Sequence, residues 1–257
     1  MTTASKPRPL NIAYLACFFM LATASLSFSQ TKTPTSAAKS IDLIGTAGLE
    51  AWNSPAANWQ VVAEASLNPR DDRRLSATPG QGVLYNGPEG RAVNLISRQF
   101  FEDVQLHVEF MVPKNSNSGV KLQGVYEIQI FDSFGLKTVN AGHSGGIYPR
   151  AEMLPRYHHI DDGYPPKTNA ALAPGAWQSL DITFRSPKFD PSGKKIANAR
   201  FDKVVLNGQV VQENQEVPSP TGHVWREKEH PNGPILLQGD HGPVAFRNVR
   251  AAPLPSQ

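Results

Sequence analysis

The chain has 257 residues, 25 Lys and Arg against 22 Asp and Glu, a net charge of +3 and one cysteine. Charges of both signs are dispersed, with no basic stripe and no recognition helix, which excludes a nucleic-acid binder. A single cysteine excludes a disulfide framework, so the fold must rest on its core.

Residues 1–29 read as a secretory signal. Lys6 and Arg8 form a basic start, Leu10 to Ala24 an apolar stretch short for a membrane span, and Ser27 and Ser29 put small residues at −3 and −1 of a cut before Gln30. Cleavage would give an exported protein, periplasmic or secreted, with no membrane segment. It would remove Cys17, Lys6 and Arg8, leaving a net charge of +1. Residues 30–40 (QTKTPTSAAKS) form a polar linker, and a single domain is expected over 41–252.

Strand signals dominate that domain. Trp59–Ala63, Gly82–Tyr85 and Ala92–Ile96 are short and bounded by Pro, Gly and Asn. Val104, Leu106, Val108 and Phe110 alternate with Gln105, His107 and Glu109, the pattern of a half-buried strand. Asn117 to Asp132 (NSGVKLQGVYEIQIFD) reads as two tightly joined strands. In the second, Ile128 and Ile130 share one face and Glu127 and Gln129 the other, because side chains on a strand alternate sides. A carboxylate and an amide side by side suit a ligand with many hydroxyls. Residues 149–176 form a long irregular insertion rich in Pro, His and Asp, and such loops are often functional. Leu180, Ile182 and Phe184 alternate with polar neighbours. Asn207-Gly208 between apolar runs signals a type I′ hairpin. Ile235–Gln238 and Val244–Phe246 close the domain, and the Pro-rich tail after Ala251 is expected to fray. With 22 Pro, 20 Gly and no sustained helical period, the expectation is an all-β sandwich or barrel.

These blocks have a family likeness. NSGVKLQGVYEIQIFDSFG, GGIY at 145–148, PGAWQ at 174–178, LNG at 206–208 and GPILLQGDHGPVAFRN at 233–248 resemble, in order, the DUF1080 family, also described as 3-keto-disaccharide hydrolase or 3-keto-glucoside lyase/hydratase. The likeness covers most of 41–250. It implies a concanavalin A-like jelly-roll β-sandwich of two antiparallel sheets. It also implies cleavage of the glycosidic bond of 3-keto-glycosides by β-elimination and hydration, on a carbohydrate substrate supplied by a separate 3-dehydrogenase.

Within that frame Glu127 and His241 are the candidates for proton transfer. His241 sits between glycines in Gly239-Asp-His-Gly-Pro243, where the backbone can approach a ligand closely. Asp240 could orient it, though adjacent side chains usually diverge. Asp132 is the third catalytic candidate. Strict alternation puts it on the Ile128 face, and a bulge near Phe131 would turn it toward Glu127; otherwise it caps the Ser133–Gly135 turn. Candidate sugar-binding residues are Asn117, Ser118, Lys121, Gln123, Gln129, His143, Tyr148 and Arg247. Arg247 could instead pair with an acid. No cofactor is expected. His158, His159, Asp161 and Asp162 crowd one loop without a metal-ligand spacing; a solvated loop is the plain reading, and a divalent metal such as a calcium held by loop oxygens stays open. Two other readings stay open, a non-catalytic lectin-like module and an ordinary endo-glucanase of the same superfold.

Overall fold

The computed structural model describes residues 1–3, 39–45, 48–53 and 58–255. The expectations for the signal and linker fall almost wholly on residues outside these. All strands belong to one compact unit, Ala37–Gln257.

They are β1 (Ile41–Asp42), β2 (Gln60–Leu67), β3 (Leu75–Tyr85), β4 (Leu95–Phe101), β5 (Val104–Met111), β6 (Asn117–Leu122), β7 (Tyr126–Phe131) and β8 (Ala151–Glu152). They continue as β9 (His158–His159), β10 (Gln178–Arg185), β11 (Lys188–Phe189), β12 (Lys195–Ala197), β13 (Ala199–Leu206), β14 (Gln209–Val217), β15 (Gly233–Leu237) and β16 (Ala245–Pro253). The larger sheet runs β14-β13-β10-β5-β16-β3-β2, with β1 beside the second half of β16. The smaller sheet runs β4-β15-β6-β7. Single bridges widen it, Trp52 to Ser97 beyond β4, and Ile128 to Ile147 to Tyr164 beyond β7. The strands of both sheets pair antiparallel, and the expected jelly-roll sandwich of two antiparallel sheets is what forms.

The core lies between the sheets. Val104, Leu106, Val108 and Phe110 from β5 and Leu180, Ile182 and Phe184 from β10 pack in one cluster with Val120, Leu122, Tyr126, Ile128, Ile130, Ile235 and Leu237 from the smaller sheet. Each such side chain contributes about 1.5–3 kcal/mol through burial, and the alternation of β5, β7 and β10 delivers them to one side.

Both expected hairpin turns form. Asn207 and Gly208 have φ of 51° and 79° and join β13 to β14; Gln123 and Gly124 have 53° and 74° and join β6 to β7. Two boundaries differ from expectation. Ala92 and Asn94 do not open a strand, because the Ala92 N–H donates to the Gly239 carbonyl and the Asn94 side chain accepts from the Gly239 N–H. The C-terminal strand runs on to Pro253 rather than fraying, because Ala252 and Pro253 keep pairing with Gln105 and Val104.

Asp103, 1 % exposed, ties the β4–β5 turn to the end of β10. Its carboxylate accepts from the Ser186 N–H (2.9 Å), Lys188 (2.9 Å) and Arg185 (3.1 Å). Burial pushes its pKa up, but these donors outweigh burial and hold it below the usual carboxylate range. A depressed pKa contributes stability above the unfolded value, about 4, and that contribution is lost as pH falls through the folded value. Asp103→Ala should therefore cost about 3 kcal/mol in urea unfolding at pH 7, because two cations lose their buried partner. The gap to the wild type should close in acid.

Candidate active site

The floor of the site follows from register and alternation. β6 and β7 pair Lys121 with Glu127, Gly119 with Gln129 and Asn117 with Phe131. These residues all point away from the sandwich core, while Ser118, Val120, Ile128 and Ile130 point into it. The polar face is nonetheless covered: Glu127 is 3 % and Gln129 2 % exposed. Buried polar groups must be paired. The Lys121 ammonium sits 3.0 Å from Glu127 Oε2, and Gln129 Nε2 donates to Asn117 Oδ1 at 3.0 Å. Gly119 makes room for the carboxylate. A Cβ there would lie 2.4 Å from Glu127 Oε1.

Other segments wall this floor. The backbone of β7 continues its ladder into the next stretch of chain, with Gln129 N–H donating to the Gly146 carbonyl and Tyr148 N–H to the Glu127 carbonyl. That pairing brings Tyr148 beside Glu127. The β8–β9 hairpin adds Met153 and Tyr157. The Tyr148 and Tyr157 hydroxyls are 3.0 Å apart, and His159 Nε2 lies 3.1 Å from the Tyr148 hydroxyl. The result is a cleft of about 430 Å³ containing Asn117, Lys121, Glu127, Gln129, Tyr148 and His241.

His241 arrives on the turn before β16. Buried Asn86 fastens that turn, donating to the carbonyls of Gly239 and Gly242 and accepting from the Val244 N–H. The glycines are needed for closeness. A Cβ on Gly239 would meet the Trp59 ring at 2.7 Å, and one on Gly242 the Ser116 hydroxyl at 2.4 Å. The turn makes neighbours converge. His241 Nδ1 donates to Asp240 Oδ1 at 2.6 Å, contrary to the expectation that adjacent side chains diverge. This hydrogen bond raises the His241 pKa above the usual imidazole value against the opposing effect of burial, and the charges of Asp240 and Glu127 add to it.

Of the residues singled out from sequence, Glu127, His241, Asn117, Lys121, Gln129 and Tyr148 thus come together. The others do not join them. Asp132 is not turned by a bulge, since the β6–β7 register runs unbroken to Phe131; it accepts from the Asn115 N–H and closes a turn. Ser118 faces inward and donates to the Gln238 carbonyl. Gln123 occupies the left-handed turn and donates to the Pro231 carbonyl. His143 packs on the Phe131 ring and accepts from the Asn140 N–H. Arg247 lies on the outer face of the larger sheet, bonded to Glu109 at 2.6 Å and stacked on Trp177 at 4.1 Å. Phe246 beside it fills the core, so alternation turns Arg247 outward.

Met153, Tyr157, His223 and Gln238 line the cleft without having been singled out. Gln238 carried one sequence signal, a polar residue ending an apolar run, and Met153 and Tyr157 lie in the long 149–176 insertion, which marked a segment without marking a residue. Among the described residues no three His, Cys, Asp or Glu side chains converge to hold a metal. Asp161 in the crowded loop is spent on the Arg150 side chain (2.6 Å) and backbone.

A carboxylate, an ammonium, three amides, two phenols and two imidazoles around one cleft on a jelly-roll sheet are the equipment of a carbohydrate-active enzyme. The chain belongs to the 3-keto-alpha-glucoside-1,2-lyase-like domain family, matched over residues 39–252. It is similar to a crystal structure of a "putative glycosyl hydrolase" from Parabacteroides distasonis ATCC 8503, 29 % identical over 84 % of both chains with a TM-score of 0.60. A second structure so described from the same organism is 20 % identical over 84 % of this chain and all of the other, with a TM-score of 0.55, which shows the shared fold. Among curated proteins, none matches.

Proposed function

We propose that this protein cleaves the glycosidic bond of 3-keto-glycosides by elimination followed by hydration. The observation that carries this reading is the convergence of Glu127 and the Asp240–His241 pair on one cleft from distant parts of the chain. A ketone at C3 acidifies the hydrogen on C2. The Glu127 carboxylate takes that proton, and the electron pair forms an enolate across C2 and C3. The Lys121 ammonium, 3.0 Å from Glu127, is placed to stabilise the enolate oxygen. The enolate expels the C1 substituent, and protonated His241 delivers a proton to the leaving oxygen. Water then adds at C1 and a proton returns to C2, so the sum is hydrolysis. Asn117, Gln129 and Gln238 supply hydrogen bonds for ring hydroxyls.

This route needs neither the close pair of carboxylates of a retaining glycosidase nor the wider pair of an inverting one. With Asp132 turned away, Glu127 is the only carboxylate of the floor among the described residues, which disfavours the endo-glucanase alternative. A lectin-like module would have no use for a buried ion pair beside an imidazole–carboxylate pair. The substrate ketone must come from a 3-dehydrogenase acting on the same glycoside, and the N-terminal signal would place the reaction outside the cytoplasm.

The test is incubation of the purified protein with 3-keto and unoxidised forms of one disaccharide. Monosaccharide release from the 3-keto form alone is expected. Equal release from both, or binding without release, would sink the reading. Asp240→Asn gives a second check. Without the carboxylate the His241 pKa falls toward its ordinary value, so the alkaline limb of the kcat profile should move to lower pH while turnover on the acidic side is largely kept.

A further inference from the structure

The β8–β9 hairpin carries apolar side chains where none is needed for folding. Met153 is 56 % exposed, Leu154 79 %, Tyr157 46 % and Ile160 39 %. Isolated exposed apolar residues need no explanation, but several along one short hairpin, two of them bordering a cleft, do. The hairpin is also braced rather than loose. Arg150 bonds Asp161 at 2.6 Å, Glu152 pairs with Arg226 at 2.7 Å, and the Ala151 N–H donates to the Gly222 carbonyl. Arg150 and Arg226 both stack on Trp225. Tyr157 is fixed by the Tyr148 hydroxyl and by an edge contact with His159. The apolar tip is therefore held in place.

Two of these residues, Met153 and Tyr157, line the same cleft as Glu127 and His241. The polar groups of that cleft are Asn117 and Lys121 from β6, Glu127 and Gln129 from β7, Gln238 just after β15, His241 from the turn, and Tyr148 and His223 from the walls. Its apolar groups come from the hairpin. A substrate that meets both must have a hydroxyl-rich part and an apolar part. We infer that the hairpin tip is an aglycone subsite, selecting glycosides whose leaving group is apolar and, best of all, aromatic. A thioether and a phenol ring on a rigid support suit the face and edge of an aryl ring. This rests on the proposed function in that a glycoside occupies the cleft; it adds which leaving group the protein prefers.

The test is direct binding of unoxidised phenyl and methyl glucosides, followed by calorimetry, so that no catalytic step is required. Wild-type protein should bind the phenyl compound about tenfold more tightly, the order of effect for a small apolar group in a pocket. In Met153→Ser/Leu154→Ser the preference should shrink to about twofold or less, and Met153→Leu should keep it. Both changes lie on an exposed tip, and circular dichroism and melting confirm the fold. An unchanged preference in the double variant, equal binding of both compounds by the wild type, or binding of neither would overturn the subsite. Turnover of the 3-keto forms is followed in parallel. A phenyl preference without turnover would leave the subsite standing and remove the proposed reaction.

Discussion

Glu127→Gln should lower kcat on a 3-keto-glucoside by about a thousandfold, within the range lost when a general base is removed. The substitution keeps shape and hydrogen bonding, so the β6–β7 register and the packing beneath it should survive. It leaves Lys121, 8 % exposed, without its counter-ion, which should cost about 1–3 kcal/mol in urea unfolding. The two effects can be separated. Pairing the change with Lys121→Met removes the stranded cation, so stability should recover while activity does not. Full turnover in Glu127→Gln would place the base elsewhere. Recovery of turnover in the double variant would mean the ion pair matters only for folding.

Gly119→Ala should cost about a hundredfold in kcat/KM with little loss of stability. The added methyl would sit 2.4 Å from Glu127 Oε1 and 3.1 Å from its Cδ. It meets the far end of a flexible side chain, whose other oxygen pairs with Lys121, so folding can proceed with the carboxylate displaced. Gly119 does not have the positive φ that would add backbone strain. A displacement of about 1 Å at a reacting group is enough for a loss of that size. Comparing melting temperature with kcat/KM in one variant settles it. A large drop in stability with normal specific activity would show that the glycine serves packing and not placement.

How much could be read from sequence depends on the range over which each signal acts. Glu127 and Gln129 were legible because strand alternation is a local rule, and the same rule brought Asn117 and Lys121 onto their face. Applied strictly, it also speaks against Ser118, which neighbours Asn117 and must face the opposite way. Of the two roles open to Arg247, pairing with an acid is the one that forms; its closeness in sequence to His241 hides a change of layer, since the turn belongs to the cleft and β16 belongs to the other sheet. Asp132 required a bulge that the unbroken register denies. The wall residues Met153 and Tyr157 lie in a segment with no periodicity, positioned through bridges from Ile128 to Ile147 and on to Tyr164. Such pairings between distant positions leave no trace in a short window. The Asp240–His241 hydrogen bond depends on turn geometry that Asn86 imposes from far along the chain.

β16 comes last in chain order among the described strands and is an inner strand of the larger sheet. β16 lies between β5 and β3, with partners on both sides along its length. Until it arrives, the two halves of that sheet have no shared ladder, and the imidazole just ahead of it has no anchored position. Nascent or prematurely terminated chains that lack β16 should therefore be chaperone clients rather than weak enzymes.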